Sequence, residues 1–341
     1  MVFFVRPVEH YHASYGFSRR QRAGKLAQCL RVEFLIDPDD DAPAADPSLV
    51  ASYRIFQVDA FDWLAECAPH SLEAVVTDPP FGVREFEPAD LAKKRSGSGG
   101  NWRVPQTTGG AKRQAVPRFS TVTDQETEQI VGYFEAFGAL VHRALVPGGH
   151  LIIANTPLLS DFMYRGLRAA HLEKRGEIVR VIKTIRGGDR PKLAELEFPE
   201  VSVMARGHWE PWGIFRSPIA ERTVAENLRV YGTGALRRPA LDVPFSDVII
   251  SGRASAAERA IANHPSIKPQ DFMRKIVRAA LPLGRGTVLD PFMGSGSTIA
   301  AAQALGYQAI GLERDREYFE MAAAGIPRLA ALTVSEIVPE S

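Results

Sequence analysis

Two short clusters in this chain combine reactive residue types with a placement that lets them act together. The first is Asp78-Pro79-Pro80-Phe81, directly after the β-branched run Ala74-Val75-Val76-Thr77. Successive prolines lack N–H donors and fix φ, so they hold a rigid extended turn whose carbonyls stay available as acceptors. Asp78 adds a carboxylate acceptor. Together these groups can grip both hydrogens of an aromatic –NH2 and draw its lone pair out of ring conjugation toward an electrophile. Phe81 offers a face on which such a ring stacks. The second cluster is Asp290-Pro291-Phe292-Met293-Gly294-Ser295-Gly296-Ser297-Thr298, after Thr287-Val288-Leu289. An acid at a strand end, a Gly-Ser-Gly turn and a helix start make a cradle for a nucleoside-type cofactor, because the glycines admit close backbone approach and the exposed helix N–H groups favour an anion. It is not a Walker loop, since no Lys follows the last glycine, and Ile299 stands where a dinucleotide fingerprint has its third glycine. Glu313 ends the following predicted strand, where an acid accepts hydrogen bonds from ribose hydroxyls.

The elements that must position these clusters read as α/β alternation. The apolar runs before Asp78 and Asp290 are buried strands, and the polar clusters sit beyond their carboxyl ends, where open α/β sheets bind ligands. A strand over Arg54–Val58 ends at Asp59, followed by a helix from Phe61 to Cys67. A helix runs from Asp124, as its N-cap, to Leu145; Pro147-Gly148-Gly149 breaks it before a strand over Leu151–Ala154. A helix from Leu158 to Ala170 and strands over Ile178–Thr184 and Val201–Ala205 follow. Regular alternation resumes with a helix from Lys268 to Leu281, the strand ending at Asp290, a helix over Gly296–Leu305, the strand Ala309–Leu312 and a last helix from Asp315. Residues 1–50 read as an N-terminal extension or linker, and residues 88–122, with Gly-Ser-Gly-Gly and Thr-Gly-Gly, as a long mobile basic loop.

The 341 residues, 45% hydrophobic, suffice for one large α/β domain or two modest ones. The two cysteines, Cys29 and Cys67, form neither a disulfide framework nor a zinc pattern, so a cytoplasmic setting and no metal are expected. No apolar run reaches membrane-spanning length. The net charge of +1 conceals uneven distribution: Leu91 to Thr123 contains seven basic residues and no acid. Such a segment can follow a phosphate backbone.

Three motifs in order, Val76-Thr77-Asp78-Pro79-Pro80-Phe81, His264-Pro265-Ser266-Ile267-Lys268-Pro269 and Val288-Leu289-Asp290 through Thr298, resemble the S-adenosylmethionine-dependent DNA amino-methyltransferases that modify adenine N6 or cytosine N4. With the catalytic motif first and the cofactor motif last, the chain is similar to the permuted β group. The resemblance implies a doubly wound, Rossmann-like α/β sheet, mostly parallel and circularly permuted. It divides the catalytic domain into 51–207 and 263–335 around a target-recognition region at 208–262. It implies that Asp78, Pro79, Pro80 and Phe81 are catalytic, with Asp78 and the Pro79 carbonyl holding the target amine for direct attack on the sulfonium methyl. It implies further that Asp290, Pro291, Phe292, Gly294, Ser295, Gly296, Ser297 and Thr298 cradle the methionine part of the cofactor. Lys268 and Pro269 would then close its pocket, Glu313 would hold the ribose, and Asp59 and Ala60 would lie near the adenine ring, with Asp78 bordering both ligands.

The expected partner is double-stranded DNA, from which the target base is flipped out. Lys93, Lys94, Arg95, Arg103, Lys112 and Arg113 in the basic loop, and Arg222, Arg229, Arg237 and Arg238 in the target-recognition region, are candidate DNA contacts. Asp at position 78 leans toward adenine, since cytosine-N4 relatives more often carry Ser there. Cytosine N4, an RNA or protein-amide acceptor, and a nucleic-acid-binding module without catalysis stay open. The resemblance also leaves room for a homodimer and a cognate restriction endonuclease, with a bacterial-type, nucleoid-associated location.

Overall fold

The computed structural model describes residues 29–30, 53–80, 123–182, 191, 194, 196–203, 205, 207–264 and 266–334. In chain order these form β1 (Cys29–Leu30), β2 (Tyr53–Gln57), α1 (Ala60–Glu66), β3 (Leu72–Thr77), α2 (Asp124–Ala144), β4 (Leu145–Ala154), α3 (Ser160–Ala169), β5 (Glu173–Val181) and β6 (Trp209–Arg216). They continue with α4 (Val224–Tyr231), β7 (Val248–Ile250), α5 (Ala256–Ile261), α6 (Gln270–Ala280), β8 (Thr287–Asp290), α7 (Ser297–Ala304), β9 (Gln308–Glu313) and α8 (Arg316–Ala330). The strands make one sheet in the order β1-β2-β9-β8-β3-β4-β6-β5-β7.

From β2 to β4 the central strands are all parallel. β6 runs antiparallel to both β4 and β5. Successive residues of the buried strands serve opposite faces, as the period of two demands. Val75 and Leu289 pack with Leu64, Ile130, Phe134, Phe137 and Met163 from α1, α2 and α3. Val76 and Val288 pack with Phe272, Ile276, Ala300 and Ile326 from α6, α7 and α8. The result is the expected doubly wound sandwich. Ile130, Phe134, Phe137 and Val141 fall on one stripe of α2, and all four are fully buried. Each contributes about 1.5–3 kcal/mol through burial.

Several boundaries differ from the sequence reading. The cap of α2 is Thr123, not Asp124: its hydroxyl accepts from Glu126 N while Glu126 reaches back to Thr123 N, a complete capping box. The helix ends at Ala144, and β4 already begins at Leu145 and includes Pro147-Gly148-Gly149, where its register against β3 shifts between Leu145 and His150. The helix read from Leu158 starts at Ser160, and the strand read from Ile178 starts at Glu173.

The strand expected over Val201–Ala205 is absent among the described residues, and the chain instead pairs over Trp209–Arg216. Pro211 and Gly213 disguise that strand, because Pro argues against a central position. Here Pro211 is tolerated because its carbonyl accepts from Asn155 N at 2.8 Å, placing its missing N–H on the β4 side, just past that strand's last residue. The beginning of the segment read as a target-recognition region is therefore part of the central sheet, and β7 from the same segment pairs with β5. The basic loop at 88–122 and nearly all of the N-terminal extension lie outside the described residues. Among the described residues no helix is long and apolar enough to cross a membrane.

Candidate active site

The pairing of β3 with β8 brings the two clusters together. Val75 registers with Leu289, so Asp78 and Asp290 emerge at the carboxyl ends of neighbouring parallel strands although 212 positions separate them in sequence. β9 and β2 continue the row, with Glu313 as the last residue of β9 and Asp59 two residues beyond β2. Four carboxylates thus line the sheet edge in the order Asp59, Glu313, Asp290, Asp78, a span of about 15 Å at ordinary strand spacing. The crevice between β3 and β8 is the switch point, since the chain winds to one side through β8 and β9 and to the other through β3 and β4.

Asp290 faces inward. Its Oδ1 accepts from the Thr77 hydroxyl at 2.7 Å and from Phe292 N at 3.1 Å, and Thr298 adds a further side-chain hydrogen bond. Burial pushes its carboxyl up to about 6, with these donors pulling the other way. The Thr77–Asp290 bond ties the first motif directly to the second. Pro291, Gly294, Ser295, Gly296, Ser297 and Thr298 are buried around it, while the Phe292 ring sits 5.5 Å from Phe137 in the core. Gly296 is required at its position: φ is +81°, and a Cβ there would lie 2.5 Å from Ile326.

Glu313 is fixed from both sides, its oxygens accepting from Gly294 N at 3.1 Å and Asp315 N at 2.8 Å. Burial raises its carboxyl, and these backbone donors oppose the rise. Asp59 caps α1 through Phe61 N at 2.9 Å and lies 3.7 Å from Arg314, with its side chain 40% exposed. Ala60 is buried as the first residue of α1. His264 stacks edge-on against Tyr318 at 4.4 Å and covers Gly294, and burial lowers its imidazole to about 4, so the ring is neutral.

The first motif carries a feature that the sequence reading missed. Lys268 donates to Asp78 and lies 3.4 Å from Glu210 on β6, which in turn pairs with Arg180 on β5 at 2.9 Å. The result is an alternating chain of charge, Asp78, Lys268, Glu210, Arg180. Arg180 is 3% exposed, donates also to the Gly252 carbonyl and stacks over Phe272. Burial opposes charge on Lys268, but Asp78 and Glu210 outweigh it and hold the ammonium above its ordinary value. Burial also lifts the Asp78 carboxyl, against the pull of Lys268. The available signal was local: Arg180 sits among the apolar residues Ile178, Val179 and Val181, and Glu210 lies beside Trp209 and Trp212, where charges are seldom buried unless paired.

Pro79 is buried and Pro80 exposed, while Phe81 lies outside the described residues. So do Lys93, Lys94, Arg95, Arg103, Lys112 and Arg113. Arg237 is not near this crevice: it donates to the Tyr307 hydroxyl at 2.7 Å, just before β9 begins and so at the opposite end of the sheet from Glu313. Arg238 donates to Leu241 O, and its own carbonyl accepts from Arg278. Arg222 pairs with Glu226 at 3.9 Å on the exposed face of α4, where Arg229 is exposed as well. Among the described residues no group of His, Cys, Asp or Glu is arranged to hold a metal ion.

The donor set fits a nucleoside cofactor bearing an amino-acid tail. Acids at the ends of β2 and β9 suit amine and hydroxyl donors, whereas the turn into α7 and the Lys268 ammonium suit a carboxylate. Pro269, the N-cap of α6, and the Lys268 backbone N–H, which donates to Ser297 Oγ at 3.3 Å, brace that turn.

Comparison with known proteins bears on the family and the fold. Residues 219–324 match the family model N6_N4_Mtase, described as DNA methylase. The Type II methyltransferase M2.DpnII of Streptococcus pneumoniae is 34% identical over 78 residues, 23% of this chain and 29% of that protein. The shared region is thus less than a third of that relative's length. Among solved structures, the cytosine-N4-specific PvuII DNA methyltransferase superposes with a TM-score of 0.52 at 15% identity, over 83% of this chain and 88% of its own. The complex of M1.HpyAVI with SAM gives a TM-score of 0.50 at 17% identity, over 82% of this chain and all of the other. At such identities the structures establish a shared fold, and the family matched is the one that the three motifs resemble.

Proposed function

We propose that this chain, whose residues 219–324 carry the N6/N4 DNA methylase domain, transfers a methyl group from S-adenosylmethionine to the exocyclic amine of a DNA base, adenine N6 in the first instance. One observation carries the reading: an amine-gripping Asp-Pro-Pro turn and a cofactor-type turn sit on adjacent parallel strands, joined by the Thr77–Asp290 hydrogen bond.

S-Adenosylmethionine, when bound, supplies an electrophilic methyl group on a sulfonium. Asp290 and Thr298 hold the turn into α7 rigid, and that helix start with Lys268 receives a carboxylate. Glu313 is oriented by two backbone N–H groups so that its remaining lone pairs face hydroxyl donors. Asp59, still partly exposed, accepts from an amine. On the other side of the crevice, Asp78 and the Pro79 carbonyl accept the two N–H bonds of the target amine and fix its lone pair toward the methyl donor. Catalysis then rests on positioning and on charge arranged in advance. Cys67 takes no part: it caps the far end of α1, beside Ser71.

The DNA-facing surface is assigned to the basic residues between Leu91 and Thr123, whose composition suits a phosphate backbone. The test is transfer of labelled methyl groups to DNA, RNA and protein offered in parallel. Label in DNA, recovered as N6-methyldeoxyadenosine, is expected. N4-methyldeoxycytidine would overturn the choice of base, and label confined to RNA or protein would overturn the reading.

A further inference from the structure

We propose that Glu210, anchored by Arg180, is a positioning residue for this reaction: it keeps the Lys268 ammonium stationed between the target-binding carboxylate of Asp78 and the helix start that receives the cofactor's tail. The inference rests on the methyltransferase reading and extends it to two residues in neither motif.

The geometry is specific. Arg180 and Glu210 are directly registered partners on antiparallel strands, near the carboxyl end of β5 and the start of β6. Both therefore reach the sheet edge that carries Asp78. Arg180 is held by the Gly252 carbonyl at 2.7 Å and by the Phe272 ring, and so presents a fixed charge to Glu210. Glu210 uses one oxygen for Arg180 and the other for Lys268. Lys268 itself is tethered by its backbone N–H to Ser297 Oγ, in the first turn of α7. One cation is thus tied to both halves of the crevice.

Charge explains why Glu210 is needed. The titratable groups facing Lys268 are the charged Asp78, Glu210 and Arg180 and the neutral His264. With Asp78 ionised, the chain of four charges sums to zero. Take away Glu210 and the nearly buried Arg180 becomes an uncompensated cation beside Lys268, which disfavours the ammonium. Remove Arg180 as well and neutrality returns. A carboxylate entering at the helix start meets an ammonium already held in place, and Asp78 is released as a hydrogen-bond acceptor to the extent that Lys268 turns toward it. Glu210 keeps Lys268 from remaining locked on Asp78 alone.

The experiment uses the full chain and two readouts. In the protein without cofactor, the titration of Lys268 is followed by pH-dependent acetylation of its amine, read by mass spectrometry. With cofactor and DNA, the alkaline limb of kcat against pH is recorded. For Glu210→Gln both midpoints move to lower pH, by about 1–3 pH units. For Arg180→Met they do not fall, and in the Arg180→Met/Glu210→Gln double variant they return toward wild type. A purely structural role predicts loss of folding or of kcat without moving either midpoint, and without recovery in the double variant; that result overturns the proposal. Circular dichroism identifies a variant that fails to fold, in which case Glu210→Thr, which removes the same charge with a strand-compatible residue and is expected to lower both midpoints likewise, takes its place. Unmoved midpoints in an enzyme that methylates DNA would sink this inference alone. Absence of DNA methylation by wild type, with the Lys268 midpoint still shifting, would instead sink the parent reading.

Discussion

At the scale of single residues, the site is built from carboxylates that differ in what already holds them. Asp290 is enclosed and engaged by Thr77, Phe292 N and Thr298, whereas Asp78 shares Lys268 and Asp59 keeps a partly exposed oxygen. On the proposed function, this division gives Asp290 to the architecture of the crevice and Asp78 to the chemistry. Asp78→Ala should reduce methyl transfer at least about 100-fold while leaving S-adenosylhomocysteine binding within a few-fold of wild type, the pattern expected when a positioning acceptor for the reacting group is lost. Calorimetric titration beside a transfer assay checks both halves, and comparable losses in the two would contradict the assignment.

Asp290 makes a separate pH prediction. Its carboxyl is raised to about 6, so between the ordinary carboxylate range and pH 6 the folded protein binds more protons than the unfolded chain. Its contribution to stability is full below that range and is lost as pH rises through about 6. Asp290→Asn keeps an acceptor for Thr77 and Phe292 N but cannot ionise. Urea unfolding at pH 4.5 and 7.5 should show the variant's loss of stability across that interval smaller than wild type's by about 1–3 kcal/mol. Parallel profiles would mean that Asp290 is not held in this way.

At the scale of elements, each turn at the sheet edge is braced from a different layer. His264, stacked against Tyr318, closes over Gly294, α8 packs Ile326 against Gly296, and Glu258 accepts from Gln270 N to cap α6 behind Lys268. Gly296→Ala should therefore cost about 1–3 kcal/mol through a left-handed backbone and a collision with Ile326. Denaturant melts of the variant measure it, and an unchanged midpoint would show that the turn relaxes freely. Most of these elements were legible beforehand. The strands ending at Asp78 and Asp290 and the helix beginning near Asp124 announced themselves through β-branched runs and apolar periodicity. β6 did not, since Pro211 and Gly213 break its local pattern, and only the termination of β4 at Ala154 makes room for that proline. With β6 misplaced, Glu210 went unnoticed, and so did its partner Arg180.

At the scale of the whole molecule, a sequence split into two distant motifs becomes one crevice because β8 inserts beside β3. The row of carboxylates from Asp59 to Asp78 follows from strand order alone. Motif spacing implied the meeting of Asp78 and Asp290, but the Thr77–Asp290 bond could not be read from sequence, since it depends on the register of Val75 against Leu289. The placement of Arg237 was likewise not legible: it donates to the Tyr307 hydroxyl at the far end of the sheet from Glu313. Because β6 and β7 belong to the sheet, only His208 and residues 217–247 and 251–262 of the 208–262 segment lie outside it.

Whether the two motifs form a single amine-methylating site is decided by digesting DNA to nucleosides after incubation with S-adenosylmethionine and either wild-type protein or Asp78→Ala. Wild type should yield N6-methyldeoxyadenosine and the variant essentially none. Equal methylation by the two proteins, or no methylated deoxynucleoside from a wild type that binds the cofactor, would contradict such a site.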